Sequence, residues 1–252
     1  MIKKLSFLQP GVGNNAFSFS RKPDRKPLQI TPLRQGSLDE LRVGKHIAFQ
    51  DFNGDEWVEC VGLESAILCL DFPIPIYVFD NHNYVFYAWA EARKNAKCKM
   101  KNEKGADYWS WSDRMTLIHM DEHFDAAVPL NVQVDLNDLN DVWRYTNEVL
   151  QIATYIKPAL ELGIFSGCLN FVESRHFEHL APVSGDVVMN IDLDVFCDEM
   201  NHISWKQKID VLRYYLPQMK LMTVATSPFF IDQENAILIL HRLILELFGD
   251  VL

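Results

Sequence analysis

Short, almost wholly apolar runs alternate along this chain with longer segments of helical composition, and that alternation limits the fold more than any other feature. Residues 76–79, 115–118, 168–172, 187–191 and 221–225 are rich in Val, Ile, Leu, Met and aromatic residues and read as strands. Residues 65–70 form another apolar run, of undecided type. In residues 83–96, Tyr84, Tyr87, Ala88, Glu91 and Ala92 fall on one helical face. Residues 138–162 read as one long amphipathic helix that Pro158 can break. Residues 204–219 and 232–248 read as helices, with Ser204 and Asp232 as N-caps. A strand that is apolar along its whole length is covered on both faces. The expected fold is therefore α/β: a single-domain, three-layer αβα arrangement around a mostly parallel sheet. No linker or internal repeat divides the 252 residues. Residues 1–45 read as an irregular basic arm with one or two short strands, and residues 60–245 as the core.

Charge narrows the function. The chain has 24 Lys and Arg against 34 Asp and Glu, a net charge of −10. The first 45 residues hold nine bases and three acids, a net of +6, which leaves −16 on the remainder. So acidic a body excludes general nucleic-acid binding, which needs a positive footprint, and suits a cationic substrate or bound metal ions. Six bases in residues 93–104 read as a solvated face, with a docking surface for an acidic segment as the alternative. The longest apolar stretch, residues 236–248, is interrupted by His241, Arg242 and Glu246, so no membrane span is expected. No apolar signal region follows Lys3 and Lys4, and the five cysteines never form a C-x-x-C pair. These features predict a reduced, cytoplasmic protein.

In parallel sheets ligands gather outside the carboxyl ends of the strands. Asp80, Asn81 and His82 follow the run at 76–79, and His119, Asp121, His123 and Asp125 follow 115–118. Asp192 and Asp194 follow 187–191; Thr226 and Ser227 follow 221–225, with Asp232 and Glu234 further on. Alternate side chains of an extended backbone point the same way, so Asp121, His123 and Asp125 can converge, as can Asp192 with Asp194. With His82 the inventory is four carboxylates and two imidazoles. Hard oxygens with a few imidazoles suit manganese, iron or zinc, and this number is enough for two ions. Without cations, packed carboxylates resist ionisation. His176, His179, His202 and His241 read as structural, and His119 as a residue that orients a ligand.

These motifs resemble the ureohydrolase fold of arginases and agmatinases, shared in part by histone deacetylases. The wording of residues 78–83, 118–125, 190–196 and 225–230 is closest to the UPF0489 family, which includes peptide arginases that convert arginine to ornithine in ribosomally made peptides. The resemblance implies two Mn2+ ions, one on His82, Asp121, Asp125 and Asp192, the other on His123, Asp121, Asp192 and Asp194. It implies that Asp125 moves a proton to the leaving amine, and that an arginine-containing precursor peptide is the partner.

Two departures from the arginase pattern stand out. Residues 126–145 lack the histidine that arginases place after the Asp-x-His-x-Asp run. Where arginases end the last strand in a guanidinium-binding glutamate, this chain has Ala225 to Pro228, which leaves Glu234, or Asp232, as the expected carboxylate. No loop for a free α-amino acid is evident, which favours arginine within a peptide. The alternatives are hydrolysis of a free small guanidine and a non-catalytic, metal-containing peptide binder. Deacetylase chemistry is disfavoured because no His-His pair occurs.

Overall fold

Seven strands form the central sheet: β3 (Leu33–Gln35), β6 (Ala66–Cys69), β7 (Ile76–Phe79), β8 (Thr116–Met120), β9 (Gly167–Phe171), β10 (Val187–Asp192) and β11 (Met219–Ala225), in the spatial order β3-β6-β7-β11-β10-β8-β9. The structure, a computed structural model, describes residues 12–13, 28–97, 111–129 and 131–249. Short strands β1 (Val12–Gly13) and β2 (Leu28–Gln29) pair antiparallel ahead of the sheet. From β7 through β9 every neighbour is parallel, while β6 runs antiparallel to β7 and β3 parallel to β6. The expected α/β, three-layer, mostly parallel architecture is the one observed.

The layers follow from the two-residue period of buried strands. Tyr77, Phe79, Leu117 and Val188 pack on one face against α1 (Val85–Lys97), α2 (Leu139–Glu148) and α3 (Ile156–Glu161). Val78, Ile118, Met189, Ile191 and Val224 pack on the other against α4 (Ser174–Glu178), α5 (Trp205–Tyr215) and α6 (Gln233–Phe248). The strands β6, β7 and β10 are buried at every position, as continuous apolar runs require.

Several boundaries depart from the sequence expectation. Residues 138–162 form two helices separated at 149–155, where Thr154 Oγ1 closes a turn on the Gln151 N–H (2.8 Å). Pro158 lies in the first turn of α3, where its missing N–H costs nothing, so it does not break a helix. Helix α5 stops at Tyr215, a 3-10 turn carries Pro217, and Met219 already belongs to β11. Ser204 does cap α5, in a capping box with Gln207, and Asp232 caps α6. The undecided run at 65–70 is β6. Of the basic stretch 93–104, residues from 98 onward lie outside the described residues, as does most of the arm before Leu28.

The largest unexpected element is a hairpin of β4 (Val43–Asn53) and β5 (Glu56–Leu63), turned by Gly54 and Asp55. Gly54 takes φ 65°, the left-handed value that the first position of such a tight turn requires. The hairpin is fastened to the sheet beside the strand-end loop of β7. Asn81 Nδ2 donates to the Ala48 carbonyl (3.0 Å), and Asp80, fully buried, accepts from Thr31 Oγ1 and from the Asn81 N–H (2.9 Å). Gly62 leaves room for this carboxylate, since a Cβ there would run into Asp80 and Ala48. Gly62→Ala is expected to cost about 1–3 kcal/mol through overpacking. Urea denaturation of the variant tests this, and an unchanged midpoint would show that the hairpin is not seated on Asp80.

Candidate metal centre

The carboxyl ends of β7, β11, β10 and β8 lie side by side, and their pairing keeps them level: Phe79 is opposite Ala225, Ala225 opposite Asp192, and Ile191 opposite Met120. The segments that continue these strands therefore meet at one rim. His82 comes from β7, two strands away from Asp192, with only the small end of β11 between them. That end is Ala225, Thr226 and Ser227, which leaves the imidazole a clear path. The Gln233 side chain holds this end to α6, accepting from Thr226 Oγ1 (2.6 Å) and donating to the Thr226 carbonyl (2.8 Å).

Two groupings of donors result. His82 Nδ1 lies 3.0 Å from Asp192 Oδ2, 3.1 Å from Asp121 Oδ2 and 3.3 Å from Asp125 Oδ2. His123 Nδ1 lies 3.1 Å from Asp194 Oδ2 and 3.3 Å from Asp121 Oδ1. Asp121 thus offers one oxygen to each grouping. Donors held about 2.1 Å from a common ion and at right angles to each other stand about 3.0 Å apart, so these spacings match a coordination shell. Hydrogen bonding does not account for the first grouping. His82 is 2% exposed, yet neither ring nitrogen has a hydrogen-bond partner, and Asp121 Oδ2 is equally without one. Buried polar atoms left unmatched around one point mark a place for a missing positive centre. His82, His119, Asp121, His123 and Asp194 form a cluster that could hold a metal ion.

Within this cluster His119 has a different task. Trp89 Nε1 can only donate, and it faces Thr223 Oγ1 at 3.3 Å. Thr223 Oγ1 then donates to Asn190 Oδ1 (2.8 Å), which turns the Asn190 amide nitrogen toward His119 Nδ1 (3.0 Å). Nδ1 therefore accepts, and Nε2 carries the proton, donating to the His123 carbonyl (3.0 Å). Burial lowers the His119 pKa to about 4, so the ring stays neutral in this arrangement. It orients the Asp121 to Asp125 loop, the role expected of it from the sequence.

The loop is further constrained. Asp125 takes φ 45°, a left-handed value that is costly outside glycine. Tyr155 O–H, fully buried, donates to Asp125 Oδ2 (2.8 Å), and the Ala127 N–H donates to the Ala153 carbonyl (2.9 Å). Tyr155 sits in the break between α2 and α3, so no sequence signal points to it once residues 138–162 are taken as one helix. Asp192 Oδ1 accepts from the Asp194 N–H (3.1 Å) and Asp192 Oδ2 from Ser227 Oγ, with Ser227 itself at φ 41°. Asp194 Oδ1 accepts from the Glu122 N–H (3.2 Å).

The electrostatics show the conflict among these charges. Burial and the Asp121 charge raise Asp125 to about 7, and burial with the Asp121 and Asp192 charges holds Asp194 well above the carboxylate range. Hydrogen bonds to Asp121 and Asp194 raise His123 to about 11. Burial opposes a charge on His82, but Asp192, Asp121 and Asp125 outweigh it and push its pKa well up.

Above the rim opens a cavity of about 970 Å3. His82, His123, Asp125 and Asp192 face its floor; Phe49, Phe52, Phe124, Phe229 and Phe230 supply apolar wall. Of the residues singled out from the sequence, all six metal candidates, His82, Asp121, His123, Asp125, Asp192 and Asp194, are brought together. Glu234 and Asp232 are not. Both are exposed at the start of α6, outside the cavity lining, and Asp232 is engaged with the Asn235 N–H (3.0 Å). The cavity's other carboxylates, Asp51 and Asp55, belong to the hairpin that the sequence did not reveal. The Gly54-Asp55 pair between two apolar-containing runs is the turn signal that marks it.

Comparison with protein-family models, curated proteins and solved structures finds no match for this chain.

Ligation must displace protons from Asp125, Asp194 and the two imidazoles, so affinity for a divalent ion rises with pH. Calorimetric titration with manganese between about pH 6 and about pH 8 should show tighter binding and proton release at the higher pH. An affinity independent of pH would contradict the coordination assigned to these groups. Tyr155→Phe should keep the fold but weaken metal binding by about tenfold or more, since Asp125 loses its orienting partner. Equal metal affinity in the variant and the parent protein would remove Tyr155 from the site.

Proposed function

We propose that this chain is a dinuclear manganese hydrolase that converts arginine residues of a ribosomally made precursor peptide to ornithine and releases urea. The observation that carries the reading is the pair of donor groupings sharing Asp121 at the floor of an acidic cavity with aromatic walls. The donors are hard carboxylate oxygens and imidazoles, a set that suits manganese better than a thiolate-seeking metal. One ion would be held by His82, Asp121, Asp125 and Asp192, the other by His123, Asp121, Asp192 and Asp194. When bound, such a pair supplies the Lewis acidity that brings the pKa of a shared water close to neutral.

The chain's own residues account for the rest. The water oxygen adds to the guanidinium carbon, and the bond from that carbon to the chain-bearing nitrogen breaks, leaving urea and the ornithine amine. Asp125, oriented by the Tyr155 hydroxyl, takes the proton from water and delivers it to the departing nitrogen. The Asn190 to His119 relay keeps the His123 backbone fixed while this happens. The aromatic walls bury the methylene stem of a long cationic side chain and exclude water from its head. The net charge of −10 favours entry of a cation.

Incubating the manganese-loaded protein with an arginine-containing peptide should release urea, and each converted arginine should lose the mass of CH2N2. Asp121→Ala and Asp192→Ala should abolish turnover. Urea from agmatine or free arginine, with none from peptides, would favour a small-guanidine hydrolase instead. Peptide binding that survives both substitutions, with no urea from any guanidine, would favour a binding protein.

A further inference from the structure

A second cavity, of about 320 Å3, opens where the base of the β4–β5 hairpin faces the segment that joins β11 to α6. The hairpin contributes Val43, Cys60 and Val61 to its lining, and the joining segment contributes Ile231 and Asp232. Phe229 and Phe230 line this cavity and the reaction cavity alike, so these two rings are the partition between them. The partition is held on both sides. Phe229 packs edge-on against Phe49 (5.4 Å between ring centroids), and Phe230 lies 4.7 Å from the His123 ring. The two rings are nearly perpendicular, at 84°, with centroids 5.1 Å apart. Phe230 is nevertheless 37% exposed, an aromatic surface left bare between two cavities that a bound chain would cover.

The lining indicates what the second cavity takes. An extended peptide advances about 3.3 Å per residue, so a chain with one side chain in the reaction cavity carries a residue one or two positions away past the partition. Val43, Val61 and Ile231, all half-buried, offer that residue aliphatic surface. Asp232 already accepts the Asn235 N–H (3.0 Å) as the cap of α6, and its charge disfavours an acidic neighbour.

We propose that this second cavity is a subsite for an aliphatic side chain one or two residues from the target arginine. The site then recognises arginine in an aliphatic context rather than arginine alone. The inference rests on the hydrolase reading for its substrate, but its test reads occupancy of the cavity rather than turnover.

Cys60, a half-buried free thiol in the lining, reports that occupancy. The probes are acetyl-Leu-Leu-Lys-Leu-Leu amide and acetyl-Ser-Ser-Lys-Ser-Ser amide, in which lysine stands for arginine so that no urea can form. Alkylation of Cys60 by iodoacetamide is followed by mass spectrometry in the manganese-loaded full chain, with Cys168 as the reference thiol. At about ten times its Kd, the leucine peptide should slow Cys60 alkylation about tenfold and leave Cys168 unchanged. The serine peptide at the same concentration should leave Cys60 nearly unprotected. Val61→Thr, which keeps the side-chain shape, should weaken the leucine peptide by about threefold or more without changing the serine peptide. No binding of the leucine peptide, no protection of Cys60 by it, or equal protection by both peptides overturns the proposal. Urea release is measured separately. If the leucine peptide protects Cys60 but no arginine peptide yields urea, the hydrolase reading fails and the aliphatic subsite stands. If urea is released with the same KM from leucine-flanked and serine-flanked arginine peptides, the inference fails and the hydrolase reading stands.

Discussion

Mutual repulsion among carboxylates at one sheet rim is the constraint that the rest of this structure answers. Asp121 and Asp194 are fully buried and Asp192 nearly so, while Asp125 joins them through His82. In a low-dielectric interior such charges cannot all persist without positive compensation. Two imidazoles stand among them, and burial together with neighbouring charge raises the pKa of Asp125, Asp194 and both histidines.

Such an arrangement is tolerated because the scaffold beneath it leaves the side chains little freedom. Parallel pairing keeps the four strand ends level, and two apolar layers bury the sheet on both faces. The loops beyond the strands are then fixed one bond at a time. Ser227 and Asp125 sit at left-handed φ values in order to hand a hydroxyl and a carboxylate to the cluster. Strain of this kind persists only where surrounding contacts over-determine it, and here the contacts are those of Asp192 and Tyr155. The donor-only Trp89 starts a chain of hydrogen bonds whose direction reaches the His123 carbonyl. The floor of the cavity is thereby preorganised.

The wall is built from two sources. Phe124, Phe229 and Phe230 come from the strand-end loops, whereas Phe49 and Phe52 come from a hairpin that belongs to neither helical layer and is joined to the strand-end loop of β7 through the bond from Asn81 to the Ala48 carbonyl.

The layered α/β fold, the strands carrying the motifs, the caps at Ser204 and Asp232, and the six side chains that meet at the rim were all legible in the sequence. All of these depend on local period or on position relative to a strand end, which a linear pattern records. Contacts across the fold were needed to see that Tyr155 braces Asp125, that Asn190 leaves Nε2 of His119 as the donor, and that Asp51 rather than Glu234 lines the cavity. Those facts depend on contacts between segments far apart in the chain: 30 residues separate Asp125 from Tyr155, and 71 separate His119 from Asn190. Periodicity tells which face of an element is buried. What that face meets depends on where the chain turns back, and here a helix break at 149–155 and a two-residue turn at Gly54 settled it.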